Sequence, residues 1–154
     1  MDEVSGMTVV LDDEHVLRSI PDDPQLFDCD GAGSLVRLSN SAFNDRNMRP
    51  SVDRACMHCK AGDARRLPAA GVVSLHVARV RTVRGIVTND SKGMQKHTHD
   101  VDVLHDPIEG NAAHALVVTA PGICSTNTFR RLKEALCLLA QAGGWVVRPG
   151  SRGG

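Results

Sequence analysis

The sequence predicts an α+β fold, in one small domain with a mixed sheet of short strands and two to three helices. A chain of 154 residues is long enough to bury a core within a single domain. The runs VDVLHD and AHALVVTAP have the composition of short strands. Residues 125–142 place apolar side chains at helical spacing. Short strands combined with few helices are typical of the α+β class.

The charge distribution divides the chain into three predicted parts. Residues 1–30 form an acidic segment packed on or flanking the domain, 31–149 form the domain, and 150–154 form a frayed tail. The first part holds nine Asp or Glu and one Arg, a net charge of −8, although the whole chain is neutral. Region 46–84 holds nine Lys or Arg and two Asp, a net charge of +7. This asymmetry indicates an acidic arm over a basic face, or two separate polar surfaces.

The first half of the chain contains short elements separated by loops. TVVLDDEHVLRSI has the composition of a short strand or helix, DCDGAGS of a loop, and SLVRLS of a strand. SNSAFNDRNMRP is polar, which predicts a loop anchored by a buried Phe43. SVDRACMHCKAGDARRL can open a helix, because Ser51 is a good N-cap and Asp53 would lie in the first turn.

The stretch GVVSLHVARVRTVRG fits two structures. Its valine content favours a strand. The spacing of Val73, Val77 and Val80, with Gly85 behind them, favours a helix that ends at a glycine. We favour the helix over residues 72–84.

The second half is more regular. IVTNDSKGMQKHTHD is a turn-rich connection, VDVLHD and AHALVVTAP are strands, and WVVRPG is a last strand. The helix 125–142 has Ser125 or Thr128 as its cap and ends at Gly143 and Gly144. Its apolar stripe consists of Phe129, Leu132, Leu136 and Leu139.

Composition argues against several classes of protein. Aromatic residues make up 3% of the chain and Tyr is absent, which leaves no base-stacking platform for single-stranded nucleic acid. No apolar run has the length of a membrane span, and the acidic start lacks the features of a secretory signal. We therefore expect a cytoplasmic protein, whose five cysteines are reduced thiols.

Several motifs occur in an order found in known proteins: SAFNDRNMRPSVDRA, GVVSLHVARVRTVRG, VLHDPIEGNAAHALV and RRLKEALCLLAQAGGWVV. Over residues 34–148 the chain resembles a family of small uncharacterised bacterial proteins. The resemblance implies a shared fold and a helix at 72–84, and it implies no activity. CMHCK and HTH lie outside the shared pattern, which argues against a metal site throughout that family.

HDPIEGNAAH is the strongest candidate site. Its Pro, Gly and Asn predict a turn between two strands. If the strands pair, His105 and His114 approach each other as a general acid and base, with Asp106 or Glu109 orienting one imidazole. The alternative is a structural turn, capped by Asp106 and Asn111, with His114 as a partly buried side chain.

The cysteines of CMHCK form half of a zinc site, because thiolates at Cys-x-x-Cys spacing can share one tetrahedral ion. Cys56 and Cys59 with His97 and His99 would complete four ligands. The alternative is two reduced cysteines with separate roles.

Arg37 and Ser51 form a third candidate, in which the guanidinium binds a phosphate and the hydroxyl contacts a ribose, as in NAD-using transferases. An exposed or ion-paired Arg37 is the alternative. Phosphate-loop, dinucleotide-binding, zinc-protease and nucleophile-elbow motifs are absent from the sequence.

We expect an interaction module for a protein or nucleic-acid partner, bound through segment 1–30 or region 46–84. An enzyme, such as a nuclease or nucleotide-modifying toxin using His105 and His114, and a zinc-binding domain are the two alternatives.

Overall fold

The computed structural model describes residues 8–89 and 96–150. Its strands are β1 (His15–Ile20), β2 (Phe27–Cys29), β3 (Leu35–Leu38), β4 (Ser51–Arg54), β5 (Gly71–His76), β6 (Val87–Asn89), β7 (Lys96–Thr98), β8 (Asp100–His105), β9 (His114–Ala120) and β10 (Trp145–Val147). Its helices are the single turn α1 (Val77–Val80) and the long α2 (Thr126–Gly143), with short 3-10 turns in the loops before β5.

Six strands form one sheet in the order β10-β5-β1-β4-β9-β8, and every pair in it is antiparallel. β2 with β3 and β6 with β7 form two separate hairpins. The α+β class is therefore confirmed. The sheet is antiparallel instead of mixed, and it accounts for more of the chain than predicted.

One face of the sheet packs against α2. Side chains alternate between the faces of a strand, so Val16, Val52 and Ala115 share this face and are at most 1% exposed. Leu132 and Leu136 of α2 lie in the same core cluster. The predicted helix is confirmed, and its N-cap Ser125 accepts a hydrogen bond from the Thr128 N–H.

The opposite face carries the polar residues of the candidate site. Asp53 lies directly between Leu17 on β1 and His114 on β9. Leu17, Ala64 and Val72 form a small second core cluster on this face. The loop that contains Ala64 therefore covers part of the face, beside the polar residues.

Two predicted helices are wrong. Residues 51–54 form β4, a strand in the middle of the sheet, and residues 71–76 form β5, so that only Val77–Val80 is helical. β5 is covered on both faces: Val72 and Val73 are each fully buried, one in each core cluster. A strand buried on both faces has a continuous apolar run, which periodicity does not distinguish from a buried helix.

Within the predicted acidic segment 1–30, residues His15–Ile20 form β1, which lies between β5 and β4 in the sheet. Two acidic residues of that segment pair with arginines of region 46–84: Glu14 with Arg54 at 2.7 Å, and Asp12 with Arg81 at 2.7 Å. The connection predicted after residue 85 contains the β6–β7 hairpin, and its residues 90–95 lie outside the described chain, as do tail residues 151–154. Among residues 8–89 and 96–150, none of the helices has the length and apolar composition of a membrane span.

Candidate functional site

A buried carboxylate lies at the centre of the site. The side chain of Asp53 is 1% exposed. A carboxylate removed from water is costly unless hydrogen bonds replace its solvent. Asp53 has three such partners: His58 Nε2 at 2.8 Å, Arg66 Nη2 at 3.1 Å and Asn111 Nδ2 at 2.8 Å. The carboxylate is thus fully satisfied inside the protein.

The three partners of Asp53 come from different parts of the chain. His58 and Arg66 belong to the long loop between β4 and β5, whereas Asn111 belongs to the turn between β8 and β9. In that turn Ile108 and Asn111 exchange two backbone hydrogen bonds, and Gly110 has a φ of 83°. The predicted turn is confirmed, and Asp53 holds it and the long loop against the sheet.

His114 lies next to Asp53 across the β4–β9 ladder, where side chains directly opposite each other are about 5 Å apart. Its Nδ1 is 2.7 Å from the backbone oxygen of Asp106 and 3.2 Å from that residue's carboxylate. A carbonyl oxygen only accepts, so Nδ1 carries the proton and the neutral ring has an unprotonated Nε2. That nitrogen has no hydrogen-bond partner among the described residues.

His114 and Arg66 line the same pocket, whose volume is about 470 Å³. Ser19 and Ser51 add hydroxyl groups to its wall. The Arg66 side chain is 51% exposed, and only its Nη2 is bonded to Asp53. Its Nε and Nη1 have no side-chain partner in the described parts of the chain. The pocket therefore presents unused guanidinium donors near an unused imidazole nitrogen.

A salt bridge closes one side of the pocket. Arg18 and Asp45, 3.0 Å apart, both line it. Burial of the Asp45 carboxyl raises its pKa, but hydrogen bonds from Ser51 N, Arg18 and Arg46 N outweigh burial and lower it overall. Asp45 is thus ionised and neutralised by Arg18, which leaves Arg66 as the cation with free donors.

The structure does not bring His105 and His114 together. His105 pairs with Ala115 across the β8–β9 ladder, so these two side chains lie on the same face of the sheet. Since His114 and Ala115 are consecutive, His114 points to the opposite face from His105. His105 Nδ1 is buried and has no hydrogen-bond partner among residues 8–89 and 96–150. Burial together with Arg54 lowers the pKa of the His105 imidazole. Only His114 and Asp106 of the predicted constellation share a site.

Arg37 and Ser51, the third predicted site, also lie in different places. Arg37 lies on the β2–β3 hairpin and pairs with Asp28 at 2.7 Å, with both side chains more than half exposed. Ser51 lines the pocket and Arg37 does not. The alternative of an exposed, ion-paired arginine describes this position.

The four predicted zinc ligands are likewise separate. Cys56, Cys59 and His97 are exposed, whereas His99 is buried. Both His99 ring nitrogens are within 3.0 Å of partners, the Pro121 oxygen and the Thr88 hydroxyl. Within residues 8–89 and 96–150, no group of three or more His, Cys, Asp or Glu could hold a metal ion.

Sequence reasoning missed the cluster around the Asp53 carboxylate. It named Asn111 only as a cap of the turn, and it did not single out His58 or Arg66. Asp53 was assigned to the first turn of a helix, which hid its place on a central strand. A charged residue on a strand covered on both faces is informative, because it needs buried partners.

Comparison with family models, curated proteins and solved structures gives no match for this chain. The resemblance to small bacterial proteins stays a prediction, and the function rests on the geometry of the pocket.

Proposed function

We propose that the domain binds a small molecule with a carboxylate or phosphate group in the pocket formed by Arg66 and His114. The observation that carries the proposal is that Arg66 lines a pocket of about 470 Å³ while its Nε and Nη1 donors have no side-chain partner among the described residues. Guanidinium donors bind carboxylates and phosphates through paired hydrogen bonds. Pockets of about 300–1,000 Å³ accommodate small ligands.

The wall of the pocket supports a ligand with both polar and apolar parts. Ile108 and Leu17 supply apolar surface, whereas Ser19 and Ser51 supply hydroxyl groups. Because Arg66 Nη2 donates a hydrogen bond to the buried Asp53 carboxylate, the Arg66 guanidinium is oriented before a ligand arrives. Preorganisation of this kind reduces the entropy lost on binding.

A second candidate function is acid–base catalysis by His114 in the same pocket. The observation that favours it is the Asp106–His114 arrangement, in which one ring nitrogen is held and the other is available. An imidazole held in one tautomer by a carboxylate or carbonyl can accept a proton from a water molecule or hydroxyl group. In this form the enzyme hypothesis uses His114 and Asp106, without His105 or Arg37.

Calorimetric titration with inorganic phosphate and, separately, with citrate tests the binding proposal and distinguishes the two kinds of anion. At least one should bind the wild-type protein at millimolar concentration or below. Arg66→Ala should lose that binding, whereas Arg46→Ala, which removes an exposed arginine outside the pocket, should retain it. Absence of heat with both anions, or equal binding by the two variants, contradicts the proposal.

His114→Gln separates binding from catalysis. If His114 transfers a proton, this variant should bind the anion within a few-fold of wild type and lose turnover in a panel of ester and phosphoester substrates. Turnover that survives the substitution excludes His114 as the acid–base group.

The prediction of a protein or nucleic-acid partner through segment 1–30 or region 46–84 remains open. Arg54, Arg66 and Arg81 of that basic region pair with carboxylates inside the domain. A polyanionic partner would therefore find fewer available cations there than the sequence indicates.

A further inference from the structure

We propose that a basic groove at the start of α2 binds the phosphate backbone of double-stranded nucleic acid without reading its sequence. The groove consists of two adjoining depressions of about 660 and 390 Å³, which share Asn127 and Arg131. It lies apart from the His114 pocket, and the two share no lining residue.

Four cationic side chains from three segments converge on the groove. These are Arg84 after α1, Lys96 on β7, and Arg130 and Arg131 on α2. All four residues are exposed. Glu134 is the acidic residue among those that line the two depressions, so the lining carries a clear excess of positive charge.

These four cations differ from several other arginines of the domain in their ion pairing. Arg18, Arg54, Arg66 and Arg81 each lie within 3.1 Å of a carboxylate. In the described parts of the chain, the four groove cations have no carboxylate partner at ion-pair distance. Arg84 donates to two backbone oxygens through Nη1, which fixes the side chain and keeps its charge. The groove thus concentrates cations that the fold itself does not neutralise.

Duplex backbone is the occupant that this chemistry favours. Clustered Lys and Arg side chains neutralise phosphates and release condensed counterions. Binding of single strands normally adds aromatic side chains for base stacking, and neither depression is lined by Phe or Trp. The lining therefore supplies contacts to phosphates and none of the stacking surface that bases use.

Fluorescence anisotropy with a labelled 24-base-pair DNA duplex, at several salt concentrations, tests the proposal. Contact of four cations with phosphates predicts a slope of log K against log salt of about −3 to −4. Arg131→Ala, at the junction of the two depressions, should weaken binding several-fold and make the slope about 1 unit shallower. Arg131→Glu should weaken it further.

Two control variants locate the effect. Arg46→Ala removes an exposed arginine elsewhere, and Arg66→Ala disables the anion pocket; both should leave duplex affinity within two-fold of wild type. Absence of duplex binding at 50 mM salt, or an equal loss from Arg46→Ala, overturns the proposal. Tighter binding of a polyglutamate chain than of the duplex also overturns it, because the partner would then be an acidic protein segment.

Discussion

Removal of the Glu14 carboxylate should be among the most damaging single changes to this domain. Glu14 and Arg54 form a two-point ion pair: Arg54 Nε donates to one carboxylate oxygen at 2.8 Å, and Nη2 donates to the other at 2.7 Å. The two side chains are 9% and 4% exposed. Glu14→Ala therefore removes both of these hydrogen bonds and the Glu14 charge from the buried Arg54 guanidinium.

Loss of one partner from a buried ion pair costs about 3–5 kcal/mol. In a domain of this size, that cost lowers Tm by roughly 6–20 °C. Asp28→Ala provides a matched control, because the Arg37–Asp28 pair has the same 2.7 Å separation but side chains that are 55% and 58% exposed. An exposed pair of this kind contributes about 0–1 kcal/mol.

Urea unfolding of wild type and both variants, followed by circular dichroism, measures the two free energies. The sign of the pH dependence gives a second check. Burial opposes ionisation of Glu14, but hydrogen bonds from Arg54, Leu11 N and Cys56 lower its pKa overall below 4.5. Its stabilisation is therefore present above pH 4.5 and is lost as pH falls through the folded-state pKa. A cost below 1 kcal/mol for Glu14→Ala, or equal costs for the two variants, refutes this reasoning.

Three further predictions concern other parts of the domain. Burial and Arg54 lower the pKa of His105 below 6.5, so the unfolded state takes up a proton before the folded state does, and stability falls as pH drops from 6.5 towards the folded-state pKa. His105→Gln should flatten this part of a profile of urea midpoint against pH, and an unchanged profile would contradict the prediction. Phe43→Ala empties a fully buried position and should cost about 3–5 kcal/mol in the same assay, where a loss under 1 kcal/mol would show that Phe43 is no anchor. Burial raises the pKa of the Cys137 thiol to about 11 and that of the Cys124 thiol above its usual value. A thiol reagent should therefore modify the native protein at no more than the three exposed cysteines, Cys29, Cys56 and Cys59. Modification of four or five cysteines without unfolding would contradict the structure.

The strand at 114–120 is buried at successive positions and could be predicted from its composition and from the turn and the proline that bound it. The helix over residues 125–142 and the strand at 101–105 could be predicted because each has one buried face. Their apolar residues then recur with the period of the element. Residues 71–76 lack this property, since a strand covered on both faces is apolar at successive positions. Residues 51–54 contain two buried charges, Asp53 and Arg54, most of whose partners lie 13 to 58 positions away in the chain. Local composition therefore favoured a capped helix start.

The candidate site could be predicted only in part, for a related reason. The turn in HDPIEGNAAH follows from local chemistry, but the register of the flanking strands decides which side chains share a face. One residue of register exchanges the two faces, and here it separates His105 from His114. Asp53, Arg66 and Asn111 meet only through tertiary contacts over as many as 58 positions of sequence separation.

We propose that His114 and Arg66 act together in one anion site, and nitrogen-15 NMR of the histidine rings during a phosphate or citrate titration measures the part of both residues. Before ligand is added, the His114 ring should be protonated on Nδ1, because that nitrogen faces the Asp106 carbonyl oxygen. The anion that binds should then shift the His114 Nε2 resonance in wild type and in Arg46→Ala, and should leave it unchanged in Arg66→Ala. A His114 ring protonated on Nε2, or an Nε2 resonance that moves equally without Arg66, would show that the two residues do not form one anion site.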